Sequence, residues 1–553
     1  MPTHIIRIAL VEFLVLGVVF LLAYGFTSYS SARPELRRWF GWVGSRRLLS
    51  IVLVGILATA INAGLARIQM PVPSVHDEFS YLLAAETFLH GRVANPTHPM
   101  WVHFETFYVL QQPTYASMYP PGQGVLLALG TWLVGHPFVG VCLGVGLASA
   151  AVCWMLQGWL PARWALLGGL MTACHTGLQI GWGHKYWGGT LAMIGAALLF
   201  GAWPRVMRTA RVRDSLVIAC GAVILAISRS FEGFVVCLPV ALSLILWLVT
   251  QRSVRLFVKV ALPAAAVLLV AGTALARYNA AITGNPWLLP AQAWAQQYSM
   301  RPIFLWQDVR EAPEVRHEEI QQFTFRQSQW EMQQDLRGFL GIKSLQFISM
   351  WSFFWRVYLS LPLVALPWIA RSSKMRWIIF VVVLLSAASS MVAWLLPHYW
   401  APIFPLVFLL SLQGFRHWKI VVKRRAARWQ HTLFCASIAA YFLVAAVSMT
   451  LFALRLSAPP AGWVWDRARI EQQLESTPEL HLVVVQYGPD HSYHNEWIRN
   501  RANIDEAKIV WARDMGEEQN QPLLHYFSDR KAWRLQADER PPRLEPYHSS
   551  PRR

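Results

Sequence analysis

Long apolar runs alternate with short polar breaks over the first 455 residues, and the pattern changes after that. Twelve runs, at roughly 5–26, 48–69, 138–160, 164–181, 187–204, 215–231, 233–250, 260–276, 346–370, 377–396, 401–414 and 431–454, approach the ~20 residues an α-helix needs to cross a hydrocarbon core. The first run is too long, and its leading charge too weak, for a cleaved leader, so Ser30-Ser31-Ala32 is read as an imitation of a cleavage site after a retained span. A thirteenth stretch, 122–136, makes a helix of only about 22 Å at 1.5 Å per residue, short of the ~30 Å core. Counted as a span, it would put the Arg205–Arg213 cluster opposite every other basic loop. Read as a helix along the membrane surface, it leaves all the basic clusters on one side, the cytoplasmic one.

The expectation is an α-helical, multi-pass protein of the plasma (inner) membrane, with about twelve spans and both ends outside. Domain one is 1–455. Four of its breaks and ends matter externally: loop 71–136 with its juxtamembrane helices, the turn His184-Lys185-Tyr186-Trp187, the stretch 277–345 with helical segments around 314–338, and the tail. The tail, 456–553, begins near Pro459-Pro460 and reads as a small extracytoplasmic α/β domain. Its strands are expected at 480–487, 507–512 and 531–536, with a helix at 517–528 and a disordered end after Pro541-Pro542.

Composition sharpens this picture. Hydrophobic residues make up 55% of the chain and charged ones 14%, where soluble proteins carry about a quarter. The net charge of +19 does not indicate a nucleic-acid partner. The tail holds 13 of the 49 Lys and Arg against 15 of the 30 Asp and Glu, so the excess sits in short clusters between spans, beside membrane lipids. The six cysteines all lie in apolar stretches, with no zinc or disulfide spacing.

Candidate chemistry concentrates in His76-Asp77-Glu78-Phe79-Ser80-Tyr81 and Tyr119-Pro120-Pro121-Gly122, just beyond the end of the second run. A carboxylate at the edge of the bilayer ionises, yet partial desolvation lifts its pKa towards a general base's range. The plainer reading is a helix start, where Asp and Glu complement the helix dipole. Likewise Arg229 either meets an anion or pairs with Glu232 and snorkels. Six histidines (His76, His90, His98, His103, His184 and His398) fall on the outer side without tight metal-ligand spacing, so no metal ligand is assigned.

These features resemble the GT-C glycosyltransferase superfamily: Asp77-Glu78 after an early span, Pro120-Pro121 opening a short surface helix, and a tail after many spans. The nearest branch is the bacterial RgtA/B/C/D-like group, related to protein O-mannosyltransferases and the lipid A aminoarabinose transferase. Tyr186-Trp187-Gly188-Gly189, Ser228-Arg229-Ser230-Phe231-Glu232-Gly233, Tyr278-Asn279, Thr283-Gly284-Asn285-Pro286 and Pro397-His398-Tyr399 are similar to that branch. The resemblance implies transfer, with inversion, of a sugar from a polyprenyl-phosphate donor to a cell-envelope glycan, lipid or protein. It implies Asp77 or Glu78 as the base, and a divalent metal in some relatives. Donor and acceptor contacts then fall to Tyr81, Tyr119, His184, Lys185, Tyr186, Arg229, Glu232, Arg277, His398 and Tyr399. A transporter or flippase of lipid-linked glycans is the alternative, and a non-catalytic assembly or sensor protein a third.

Overall fold

The computed structural model describes residues 2–26, 34–325, 328–425 and 428–547. Ser30-Ser31-Ala32 and the last six residues lie outside them. The first half runs α1 (Pro2–Phe26), α2 (Pro34–Ser45), α3 (Arg47–Ile68), α4 (His76–Leu89), α5 (Pro121–Val134), α6 (Phe138–Trp159), α7 (Ala162–Ala173), α8 (Thr190–Thr209), α9 (Val212–Ala226), α10 (Ser230–Gln251) and α11 (Val254–Thr283). It continues with α12 (Pro290–Tyr298), α13 (Glu318–Thr324), α14 (Ser328–Glu331), α15 (Leu336–Phe354), α16 (Arg356–Ser360), α17 (Leu366–Ile369), α18 (Ser373–Ser390), α19 (Phe404–Arg425) and α20 (Arg428–Leu456).

The chain is a multi-pass membrane protein. Among the described residues, α3, α6, α8, α10, α11, α18 and α20 are long and apolar enough to cross a bilayer, and α15 with α16–α17 makes an eighth only as a bent pair. The twelve expected spans are therefore met in part. The 164–181 run divides into the twelve-residue α7 and a π-helical turn, Gly177–Trp182. The 215–231 run yields a helix of 15 residues. The 346–370 run bends by 91° at a point where Arg356 takes φ 49°. That arginine turns to a carboxylate on α1: its Nε lies 2.6 Å from Glu12 Oε1, and the Val357 N–H donates to Glu12 Oε2 at 3.1 Å. A paired buried charge inside an apolar run is where a straight helix would leave both groups unmatched. Helix α2, in the first basic cluster, was not expected from the pattern.

Small residues let the central helices approach closely. A Cβ on Gly146 of α6 would overlap Thr59 of α3, and one on Gly201 of α8 would overlap the Trp154 ring of α6. The bundle core runs through Val54, Val152, Met193, Phe200, Phe404 and Phe408. Its outer helices turn apolar side chains such as Leu269 and Val270 of α11 outward, as lipid contact demands.

Between α4 and α5, β1 (Asn95–Pro96), β2 (Val109–Leu110) and β3 (Thr114–Ser117) form an antiparallel sheet ordered β1-β3-β2. The tail contributes α21 (Trp463–Glu475), β4 (His481–Gln486), β5 (Ile509–Arg513), α22 (Glu517–Tyr526), β6 (Lys531–Gln536) and β7 (Arg543–Pro546), with sheet order β5-β4-β6-β7. Strand β4 pairs parallel with β5 and β6, and β7 closes the edge antiparallel. The segment after Pro541-Pro542, expected to be disordered, supplies β7. Successive β4 side chains face opposite ways. Val483 and Val485 pack with Ile470 and Leu474 of α21, while Leu482 and Val484 pack with Leu83, Phe104, Val109 and Tyr115 of the 71–136 loop. One face of the tail's sheet thus has its core completed by that loop.

Candidate active site

Helix α4 begins where the extended segment after α3 turns back, and its first two acids part company. Glu78 is consumed by backbone. Its Oε2 accepts from the N–H groups of Ser74 (2.7 Å) and Val75 (3.2 Å), and its Oε1 accepts from the Tyr186 N–H (2.8 Å). Glu78 caps its own helix and clasps the 183–189 turn to it. Asp77, one residue earlier, turns into a crevice and accepts a hydrogen bond from the Tyr119 hydroxyl.

Tyr119 is held from three sides. Its ring stacks on Tyr81 at 4.4 Å, its N–H donates to Ser117 Oγ (3.2 Å), and its carbonyl accepts from the Tyr278 hydroxyl (3.0 Å). The Pro-Pro-Gly that follows has a mechanical reason. Pro121 starts α5 where no N–H is needed, and the Gly122 N–H donates to the Ile227 carbonyl at 2.9 Å. A Cβ on Gly122 would sit 2.7 Å from that oxygen. The start of α5 is thereby pinned to the end of α9, immediately before Ser228-Arg229. Two motifs separated by a hundred residues share one joint.

Arg229 occupies the N-cap position of α10 and lies 4.9 Å over the Tyr399 ring. Tyr399 and His398 come from the 3₁₀ segment Pro397–Ile403. The His398 ring meets Trp187 edge-on at 4.5 Å, and Lys185 Nζ stands 5.7 Å from the same Trp187. Asp77, Tyr119, Lys185, Arg229 and Tyr399 are all half-buried. Neither Arg229 nor Lys185 has a carboxylate within 4 Å among the described residues.

Burial raises the Asp77 carboxyl above the usual carboxylate range, opposed by the Tyr119 hydrogen bond and by the charges of Arg229 and Lys185. Burial likewise keeps the phenols of Tyr81, Tyr108 and Tyr119 protonated. His398 is held well below the ordinary histidine range by burial and by the same two cations. His76 falls to about 3, its ring 4.1 Å from Phe107. The crevice therefore offers one carboxylate as proton acceptor, neutral hydroxyl donors and two cations.

Other expected contacts fall elsewhere. Arg277 is exposed on α11, because its neighbours Tyr278 and Asn279 occupy the inward face. The His184 ring packs on Phe452 of α20 at 5.1 Å, away from Asp77. Tyr186 is scaffold: its hydroxyl donates to the Pro71 carbonyl at 2.9 Å, and its carbonyl accepts from Gln123 Nε2 at 2.8 Å. Glu232 is buried one turn beyond Arg229. Tyr108 escaped the sequence reading. It adopts φ 60° and presents its ring edge to Tyr119 at 5.8 Å, and nothing in the apolar, aromatic stretch 101–110 set it apart. Among the described residues no three His, Cys, Asp or Glu side chains come together as a metal site, and the crevice, with two cations beside its one free carboxylate, does not suit one.

No family model and no curated protein sequence matches this chain. Solved structures do. The apo oligosaccharyltransferase of Archaeoglobus fulgidus aligns at a TM-score of 0.50 and 11% identity, over 89% of this chain and 69% of that one. ArnT from Cupriavidus metallidurans, bound to undecaprenyl phosphate, aligns over 90% of this chain and 93% of that one, at 13% identity and a TM-score of 0.48. The archaeal oligosaccharyltransferase AglB, in complex with an inhibitory peptide and a dolichol-phosphate, gives 12% identity and 0.47 over 89% and 70%. Likeness at such identity concerns the fold alone.

Proposed function

We propose that this protein is a membrane glycosyltransferase that moves a sugar from a polyprenyl-phosphate donor to an extracytoplasmic acceptor. The observation that carries the reading is the half-buried Asp77 carboxylate, held by the Tyr119 hydroxyl and acted on by Arg229 and Lys185, neither of which has a carboxylate within 4 Å among the described residues. Asp77 accepts the proton of the acceptor hydroxyl while that oxygen attacks the anomeric carbon. The bond from that carbon to the carrier phosphate breaks, and the phosphate departs as an anion towards Arg229 and Lys185. A single displacement inverts the anomeric centre. Tyr119 holds the Asp77 carboxylate in place, and Tyr81, Tyr108 and Tyr399 supply rings and hydroxyls for the sugar. Glu78 is a positioning residue, acting through the α4 start and the 183–189 turn. The basic clusters face the cytoplasm in this reading, and the crevice and tail face outward. The protein works in the plasma (inner) membrane.

The test is reconstitution of the full chain in lipid with a polyprenyl-phosphate sugar, alongside mass spectrometry of envelope glycans and glycolipids in cells lacking the gene. Transfer without a nucleotide sugar, and a missing envelope sugar with accumulated carrier-linked donor, are the expected results. Turnover with a soluble nucleotide sugar and none with the lipid donor would defeat the proposal.

A further inference from the structure

The far ends of α3, α6, α8 and α9 border a second charged cavity, and it has no part in the chemistry above. Helices α3, α6 and α8 each have one end near the Asp77 crevice and run 20–22 residues to the other. At 1.5 Å per residue that places the second cavity ~30 Å away, at the opposite membrane face. Its volume is about 250 Å³, and its charged lining is Arg47, Arg205, Arg208, Arg211, Arg213 and Asp214.

Five arginines against one aspartate is an unbalanced set, and the aspartate is already engaged. Asp214 Oδ1 lies 3.7 Å from Arg213 Nε, and its Oδ2 accepts from Thr209 Oγ1 at 3.2 Å. Arg205 and Arg208 are fixed by neutral partners. Arg205 donates to the carbonyls of Gly201 and Trp154 (2.5 and 2.8 Å) and lies 4.0 Å over the Trp154 ring. Arg208 donates to the carbonyls of Pro204 and Gly158, both at 3.0 Å. Those bonds set the guanidinium positions without cancelling their charge. The helices are also cut to fit: a Cβ on Gly158 would sit 2.8 Å from an Arg205 nitrogen. Converging, preorganised guanidinium groups are suited to the oxygens of a phosphate group. Beside the cavity, Leu48 and Val212 are exposed next to Arg47 and Arg211, so apolar surface adjoins the charge.

We propose that this cavity binds the phosphodiester headgroup of an anionic phospholipid, whose acyl chains lie along the apolar surface next to it. The site rests on none of the catalytic assignment. It differs from general attraction of basic loops to anionic lipid, because one open-sided cavity gathers five arginines, two of them fixed by backbone carbonyls.

The experiment uses the full chain in nanodiscs of phosphatidylethanolamine containing phosphatidylglycerol, with the lipids retained after release counted by native mass spectrometry. Wild type is expected to retain phosphatidylglycerol in preference to phosphatidylethanolamine. The triple variant R47Q/R211Q/R213Q should retain about tenfold less or lower still. R252Q/R255Q/K259Q removes the same charge from the exposed α10–α11 turn and the start of α11, and should retain it as wild type does. Unfolding midpoints in phosphatidylethanolamine alone check that each variant folds, and R211Q/R213Q repeats the test at two exposed positions should the triple variant fail. Displacement of the lipid by millimolar inorganic phosphate would assign recognition to the phosphate alone, whereas resistance to it would assign the anchored lipid. Equal loss in the two triple variants, or equal retention of both lipids by wild type, would overturn the proposal.

Discussion

Two charged clusters of this protein are built from similar residue types, and they are opposites in completion. At the junction of loop, middle stretch and tail, the Arg513 side chain is 2% exposed. It donates to the Glu105 carbonyl (2.9 Å), to Glu319 (3.1 Å) and to Glu496. Glu105 in turn accepts from the Tyr298 hydroxyl at 2.9 Å and lies 3.2 Å from His317 Nε2. Three chain segments are tied at one guanidinium, each of its nitrogens donating to a different segment. In the crevice Asp77 has one hydroxyl partner, and Arg229 and Lys185 have aromatic faces in place of carboxylates. Burial of charge alone does not mark chemistry; incomplete pairing does. Each experiment below either breaks that contrast or sharpens it.

The largest effect is expected at Asp77. Asp77→Asn keeps size and hydrogen bonding but cannot accept a proton, so transfer should fall by about 10²–10⁴-fold, measured with lipid-linked donor in proteoliposomes. Stability should not fall with it. The folded carboxyl has a raised pKa, so its contribution to stability is favourable below the unfolded value and lost as pH rises through the folded one. At neutral pH the ionised group is therefore a burden that Asn removes, and the unfolding midpoint should hold or rise. Burial raises the Glu78 carboxyl as well, but Gln would turn an NH₂ group towards backbone N–H donors that now have an acceptor, so Glu78→Gln should lower the midpoint and cost less transfer. Full activity in Asp77→Asn would return the pair to the role of a helix start.

Arg513→Met breaks the completed cluster. Removing one partner of a buried ionic set typically costs about 3–5 kcal/mol, because the carboxylates left behind remain buried. The expected outcome is a lower unfolding midpoint and faster proteolysis within the tail, with transfer lost through undocking. An unchanged midpoint would show that the tail does not depend on this joint.

How far these clusters were legible in the sequence follows from what each depends on. The crevice was half legible. Asp77, Tyr119 and Arg229 sit in local motifs beside span ends, and a span end is visible as a change in hydropathy. Their convergence was not legible, because it depends on the Gly122–Ile227 joint, a backbone contact that leaves no trace in composition. The Arg513 junction was invisible. Glu105 lies in the 71–136 loop, Glu319 in the 277–345 stretch and Arg513 just past the strand expected at 507–512, and no spacing in the sequence joins the three. The tail's strands were legible from their apolar runs, and β6 occupies the expected 531–536. That its sheet closes on the 71–136 loop was not, because an alternating strand does not say what covers its second face. The bend after Phe354 had a signal, Arg356 with Pro362 and Pro367 inside one apolar run, but its cause lies on α1 at Glu12.

A finer probe of the crevice is Tyr119→Phe. The Tyr119 hydroxyl donates to Asp77 and so favours the charged carboxylate, working against desolvation. Transfer should appear with rising pH as Asp77 loses its proton, and the limb should lie above the ordinary carboxylate range. Without the hydroxyl the limb should move to higher pH, with a modest loss of rate on the plateau where Asp77 is ionised. Its failure to move would mean that the limb reports another group.

The smallest effect separates two arginines that the sequence placed together. Arg229 and Arg277 both fall at external ends of apolar runs, and hydropathy does not distinguish them. Geometry does, through helix phase. Arg229 occupies the N-cap position of α10 beside the α9–α5 joint and faces Tyr399, whereas Arg277 lies within α11, turned away from the buried Tyr278 and Asn279, and is exposed. A cation that stabilises the departing phosphate must face the crevice, because exposed charges are screened beyond about 8–10 Å in physiological salt. Arg229→Gln should therefore cut the rate of transfer with donor still bound, while Arg277→Gln should leave it within about twofold of wild type, as surface substitutions usually do. Equal losses from the two would mean that the anion is held by the field of the whole external face, and the distinction between completed and open clusters would lose its force.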